Sequence, residues 1–164
     1  MVKPEWWGHT WMKMAHLIAT RSKDDSFKAG AVLVASDNRT LLGVGFNGPP
    51  PQIPDDIDQT DRWLVRALSA HAESNCLFYA VAAHSRNALK QSLLYVNGRP
   101  CHRCVNEAVR AGVHIFYWDD ENPQQPKMVD EEDWKKSMEL SLRSGLALTP
   151  YSTQKEFYDA AEEA

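Results

Sequence analysis

Apolar residues near the start of the chain recur at Trp7, Trp11, Met14 and Ile18, the spacing of a helix that packs on one side. The pattern predicts a helix over 4–20 with Pro4 in its first turn, and it assigns the three tryptophans here to core or subunit interface. Two short apolar runs, 29–35 and 41–46, flank the turn-forming Ser36-Asp37-Asn38 and predict an antiparallel strand pair. The stretch 47–61 holds Pro49, Pro50, Pro51 and Pro54 among several acids and reads as a loop, long enough to suggest a functional one. A helix follows over 63–84, in two pieces broken near Ser69–His71, and then a strand over 92–96. Residues 101–111 predict a helix stopped by Gly112, and 113–118 a further strand. A helix over 130–144 starts among acids, as its dipole favours, and ends at Gly145. A short strand at 146–148 and an acidic helical tail from Ser152 complete the order.

Strands alternating with helices imply an α/β sheet covered on both faces, and the absence of repeats or low-complexity tracts argues for one domain over 1–164. A chain of 164 residues can bury a core without disulfide staples. Its formal net charge of −4 argues against non-specific binding to nucleic acid, which needs a basic excess. Three cysteines, Cys76, Cys101 and Cys104, are a poor disulfide framework and fit a reducing compartment. No signal peptide is visible, and the longest apolar stretch, 76–83, is too short to span a bilayer. The expected location is the cytoplasm, with no membrane partner.

Two segments carry candidate chemistry: His71-Ala72-Glu73 and Pro100-Cys101-His102-Arg103-Cys104. Each opens a predicted helix. Cysteines at i and i+3 share a helical face, so both sulfurs can reach one ion, and a helix N-terminus favours the thiolate. His71 supplies a third ligand. One His and two Cys leave the fourth tetrahedral position open, as in catalytic rather than structural zinc sites. Glu73, two residues after His71, stands where a carboxylate can pass protons to a leaving group. Taken alone, a CxxC is also a redox dithiol or a structural zinc corner. The joint H-x-E and P-C-x-x-C pattern is far more specific.

On these motifs the chain resembles the zinc-dependent cytidine and deoxycytidylate deaminase superfamily, most of all the dCMP deaminases. Four segments carry the likeness: Ser22-Lys23-Asp24 with Ala29-Gly30-Ala31; Gly43-Val44-Gly45-Phe46-Asn47-Gly48-Pro49; His71 to Asn75; and Leu94-Tyr95-Val96 leading to Pro100–Cys104. They run from about Trp11 to Trp118. The resemblance implies a three-layer α/β/α sandwich on a mixed sheet of about five strands, with a core over 11–118 and a helical extension over 119–164. It implies one zinc per subunit on His71, Cys101 and Cys104, with Glu73 as proton shuttle. Asn47 would hydrogen-bond the nucleoside, while the backbone at Ala72 and Pro100 would read the base edge. As a residue before Gly48, Asn47 is equally suited to a turn. The implied reaction converts dCMP to dUMP and ammonia, feeding thymidylate synthesis. The family also implies a homo-oligomer, commonly a hexamer, with dCTP and dTTP as effectors together with Mg2+.

A monophosphate needs cations near the mouth of the site. Lys23 is the first candidate, equally at home on a solvated loop. Arg21, Lys28 and Arg99 fit a solvated loop better than a phosphate site, and Arg99 could reach either substrate phosphate or a neighbouring subunit. Gly43, Gly45 and Gly48 offer backbone that a phosphate could approach, or simply strand ends and a turn. Arg99 stands where the family usually has a small or apolar residue, and Cys76, at another such position, reads as an inert buried thiol. His84 and His102 read as ordinary surface or helix residues.

Overall fold

The computed structural model describes residues 4–54, 56–123 and 129–162. Its elements are α1 (Pro4–Ala19), β1 (Gly30–Val34), β2 (Leu41–Phe46), α2 (Arg62–Leu68), α3 (Ala72–Ala83), α4 (Arg86–Leu89), β3 (Ser92–Val96), α5 (His102–Ala111), β4 (Val113–Trp118), α6 (Glu131–Ser144), β5 (Ala147–Pro150) and α7 (Tyr151–Glu162). The five strands form one sheet in the order β2-β1-β3-β4-β5. β1 runs antiparallel to β2 and β3, whereas β3, β4 and β5 are parallel. Helices cover both faces, giving the expected three-layer α/β/α sandwich with a mixed sheet.

The apolar runs become strands because the sheet is buried on both sides. Along β1, Ala31 and Leu33 enter the core under α3 and α5, while Val32 and Val34 enter the core under α1. β3 alternates likewise: Leu94 and Val96 on the first side, Leu93 and Tyr95 on the second. Tyr95 stacks on Tyr117 of β4, ring centroids 4.8 Å apart.

Two differences from the sequence pattern have physical causes. α4 leaves no periodicity to read in four residues; the Ser85 side chain accepts from the Ala88 N–H at its start. In α1 the buried face is Trp11, Met12, Ala15 and Ala19, while Ile18 is only partly buried. Its alanines let α1 lie almost on the backbone of β1. A Cβ on Gly30 would come 2.0 Å from the Ala15 carbonyl oxygen.

Gly45 plays the same part on the opposite face. A Cβ there would fall 2.4 Å from the Cys76 nitrogen and 2.5 Å from the Ala72 carbonyl oxygen, both in α3. At Gly43 it would lie 3.2 Å from Ala80 Cβ and from the Cys76 carbonyl oxygen. The open sides of Gly43 and Gly45 are therefore filled by α3, while Gly45 and Gly48 also line a groove along the proline-rich loop. Gly48 instead closes a backbone bridge: its N–H donates to the Ala70 carbonyl at 3.1 Å, and the Ala70 N–H returns the bond at 2.9 Å. Among the described residues, no helix is long and apolar enough to cross a membrane.

The Gly45 contact makes a direct prediction. Gly45→Ala lowers the unfolding free energy in chemical denaturation by about 1–3 kcal/mol, the usual cost of overpacking. Gly98→Ala, whose Cβ would meet nothing within 4 Å, shifts it by less than about 1 kcal/mol.

Candidate metal centre and active-site cavity

α3 and α5 pack side by side, and their N-termini meet at one end of the sheet. His71 is the N-cap residue of α3 and Cys101 that of α5, both in extended backbone, so each side chain stands clear of its helix. Cys104 follows one turn into α5. His71 Nδ1 lies 3.6 Å from Cys101 Sγ and 3.3 Å from Cys104 Sγ, and the two sulfurs are 3.5 Å apart. These three residues form the one grouping able to hold a metal ion among the described residues.

The donor set fits zinc in number, chemistry and size. With Zn–S near 2.3 Å and Zn–N near 2.0–2.1 Å, a tetrahedral site sets S···S at about 3.75 Å and S···N at about 3.55 Å. The observed separations lie within about 0.3 Å of those values. Even without an ion the cluster is polarised. Hydrogen bonding from Cys104, and then from His71, pulls the Cys101 thiol down to about 4. The same His71–Cys101 contact raises the imidazole to about 9. The Cys104 thiol is pushed well up, first by its bond to Cys101 and then by burial.

Glu73 is only 5% exposed, and burial raises its carboxyl above the ordinary range. It contacts the Cys104 thiol and lines a cavity of about 250 Å3 together with His71, Ala72 and Cys101. Metal donors, a buried carboxyl and a cavity thus coincide at the ends of two helices.

Residues 6–118 match the model of the cytidine and deoxycytidylate deaminase zinc-binding region. The chain belongs to this deaminase family. It is 31% identical over 111 residues to an uncharacterized deaminase of Aliivibrio fischeri, covering 68% of this chain and 71% of that protein. It is 32% identical over 113 residues to the human deoxycytidylate deaminase, covering 65% of this chain. The match spans 61% of the human protein's length. The fold agrees with that of the dCMP deaminase from the cyanophage S-TIM5, solved in complex with dCMP and dUMP, at a TM-score of 0.69 and 23% identity. That likeness covers 92% of this chain and 99% of the phage chain. The chain is accordingly a hydrolase acting on a C–N bond, with a zinc-binding region.

Around this deaminase centre the other candidate residues are unevenly distributed. Asn47 is buried and lines the cavity. Its Oδ1 accepts from the Ala29 N–H at 2.7 Å and its Nδ2 donates to the Phe27 carbonyl at 3.0 Å, so the side chain braces the segment entering β1. A second lone pair and a second N–H remain on the amide. Ala72 and Pro100 are fully buried; the Pro100 carbonyl accepts from Ser137 Oγ at 3.4 Å, and its neighbours Arg99 and Cys101 line the cavity. Lys23 and Arg21 line a neighbouring groove along the proline-rich loop instead. Lys28 folds back onto the Ser22 carbonyl. The His84 ring meets the Leu42 carbonyl at 2.8 Å, and that of His102 turns away from the sulfurs to Asp133. Burial pushes the Cys76 thiol up to about 12.

Sequence reasoning missed the α2 wall, where Arg62 and Arg66 line the cavity. Their i, i+4 spacing, which puts both on one helical face, was the available signal. Arg62 pairs with Asp24 at 3.1 Å. Burial alone would raise the Asp24 carboxyl, but hydrogen bonds from Arg62 and from the Ser26 and Phe27 N–H groups outweigh it and hold the group below its usual range.

Two outcomes follow. Cys104→Ser and His71→Ala each drop bound zinc, measured by elemental analysis after chelator dialysis, from about one per chain to a small fraction of that. The Asp24 carboxyl titrates lower folded than unfolded, so its stability contribution is fully present above about pH 3.9 and is lost as pH falls through the folded value. Asp24→Asn therefore costs about 1–2 kcal/mol at pH 7, and its denaturation midpoint converges on that of the wild type in acid.

Proposed function

We propose that this chain deaminates a deoxycytidine nucleotide hydrolytically, converting dCMP and water to dUMP and ammonia. The observation that carries the reading is the His71, Cys101 and Cys104 cluster sharing one cavity with the buried Glu73. These three side chains would hold the zinc. When bound, zinc supplies a Lewis acid that lowers the pKa of water and so provides a nucleophile at neutral pH. Glu73 then moves both protons of the water in turn: it passes the first from the attacking water to the ring nitrogen, and the second from the new C4 hydroxyl to the departing amine. The C4–N bond breaks as the C4 carbonyl forms, and nitrogen leaves as ammonia. Asn47, with one donor and one acceptor still available, orients the sugar, and the backbone at Ala72 and around Pro100 reads the base edge. Burial of the cavity floor excludes bulk water from the carboxyl.

The name of the human relative and the ligands of the phage enzyme support a deoxycytidine nucleotide as substrate. A modified dCMP, dCTP or another nucleobase is the alternative within the same chemistry. A zinc-stabilised nucleotide-binding protein without turnover is the alternative outside it, and a buried carboxyl beside an incomplete ligand set argues against that. The extension forms one unit with the core, since β5 pairs with β4. Supply of dUMP for thymidylate, a cytoplasmic homo-oligomer such as a hexamer, and regulation by dCTP and dTTP with Mg2+ belong to the same proposal through the family. The groove lined by Arg21 and Lys23 is its candidate effector surface.

Ammonia release from a panel of nucleosides, nucleotides and oligonucleotides tests the reading. dCMP is expected as the best substrate. Glu73→Gln keeps the zinc but lowers kcat by about 10²–10⁴-fold. Activity on oligonucleotides alone would redirect the substrate, and zinc-loaded protein that releases no ammonia from any of them would favour the binding role.

A further inference from the structure

The residue just before Pro100 is built into the cavity wall in an unusual way. The Arg99 guanidinium lies 4.1 Å from the ring centroid of Trp134, and 6.0 Å from that of Trp118. The two indoles pack edge to face at 5.3 Å. Arg99 Nη1 meets Glu131 Oε1 at 3.3 Å, and its Nε is buried without a hydrogen-bond partner among the described residues. Arg99 lines the same cavity as His71 and Glu73. Trp134 and Glu131 belong to α6, beyond the 6–118 segment that matches the family.

We propose that Arg99 is a specificity-determining residue of the deaminase: its guanidinium, held over the ring of Trp134, takes an oxygen of the substrate's 5′-phosphate. The proposal rests on the nucleotide-deaminase reading above and names the group that makes a nucleotide, rather than a nucleoside, the substrate.

Three physical points carry it. A guanidinium has five N–H donors in one plane, so stacking occupies a face and leaves the donor edge available. Glu131 uses a single donor and is 78% exposed at its side chain, so solvent screens the pair and a buried acceptor can displace it. The buried Nε–H has no acceptor among the described residues, and a phosphate oxygen supplies one with charge assistance. The rest of the cavity agrees. Asp24 and Glu73 are its carboxylates, Asp24 is paired with Arg62, and Arg66 on the same α2 wall makes no ion pair among the described residues. Three arginines therefore face two carboxyls, a balance suited to an anionic ligand. A neutral nucleoside offers these donors no charge.

Trp134 is a positioning residue: it acts through Arg99 by holding the guanidinium over its ring. Lysine cannot reproduce that arrangement, because an ammonium is a point charge without a planar donor edge.

The test uses the zinc-loaded full chain. kcat and KM are measured with dCMP, and calorimetry gives the Kd of dUMP and of deoxyuridine. Arg99→Met is expected to raise the KM for dCMP and the Kd for dUMP at least tenfold. kcat stays within about threefold and the deoxyuridine Kd within about twofold, as for loss of uniform binding. Arg99→Gln carries the same expectation should the Met variant not fold. Trp134→Leu weakens dUMP several-fold with the same selectivity, and Trp134→Phe restores it to within about twofold because a ring face is kept. Equal weakening of dUMP and deoxyuridine would overturn the assignment in favour of a base or sugar contact. Unchanged binding of both would overturn it outright. A wild type inactive on dCMP would overturn the functional reading instead, and the dUMP titrations would still decide Arg99 by themselves.

Discussion

No side chain separates α3 from β2 at Gly45, and that close approach sets the height of α3 above the sheet. The first turn of this helix carries Ala72 and Glu73, and its N-cap is His71. Two further ties hold the same end down: Asn75 Nδ2 donates to the Phe46 carbonyl at 2.8 Å, and Gly48 and Ala70 exchange backbone hydrogen bonds. α5 arrives beside it from the end of β3, so two positive helix ends converge on one imidazole and two sulfurs. That convergence favours the thiolate at Cys101, and with it the binding of a cation. The helix ends are aligned by packing, so the geometry of the centre is a property of the core.

Much of this could be read from the chain because its period changes are sharp. The buried runs of β1 and β3 and the glycine stops after α5 and α6 each leave a local signature. The ligand set was legible because two short motifs at helix starts constrain one another. What escaped was written across distant segments. That Gly43 and Gly45 make room for a helix, rather than form a turn, depends on Cys76 and Ala72, some thirty residues away. Lys23 sits in the segment that resembles the family, yet its neighbour Asp24 turns toward the cavity and Lys23 toward the adjacent groove. Cavity cations from α2 carry no motif; only the i, i+4 pairing of Arg62 and Arg66 marks them.

The segment beyond the family match takes part in the centre as well. α6 touches each residue flanking Cys101: Trp134 meets Arg99, Ser137 Oγ donates to the Pro100 carbonyl, and Asp133 accepts from the His102 N–H at 3.0 Å. A helix that looks peripheral in sequence thus braces the loop from which two metal donors project. Local unfolding of α6 would loosen that loop first.

Cys76 lies in the core beneath Gly43, and with its thiol at about 12 almost none of it ionises near neutrality. Oxidants react with thiolates, so attack falls on Cys101, held down to about 4, whose sulfur lies 3.5 Å from that of Cys104. Those two can close on each other and be reopened by a reductant, while the third sulfur stays out of the exchange. Burial alone thus keeps Cys76 from being drawn into a cross-link with either of the other two sulfurs.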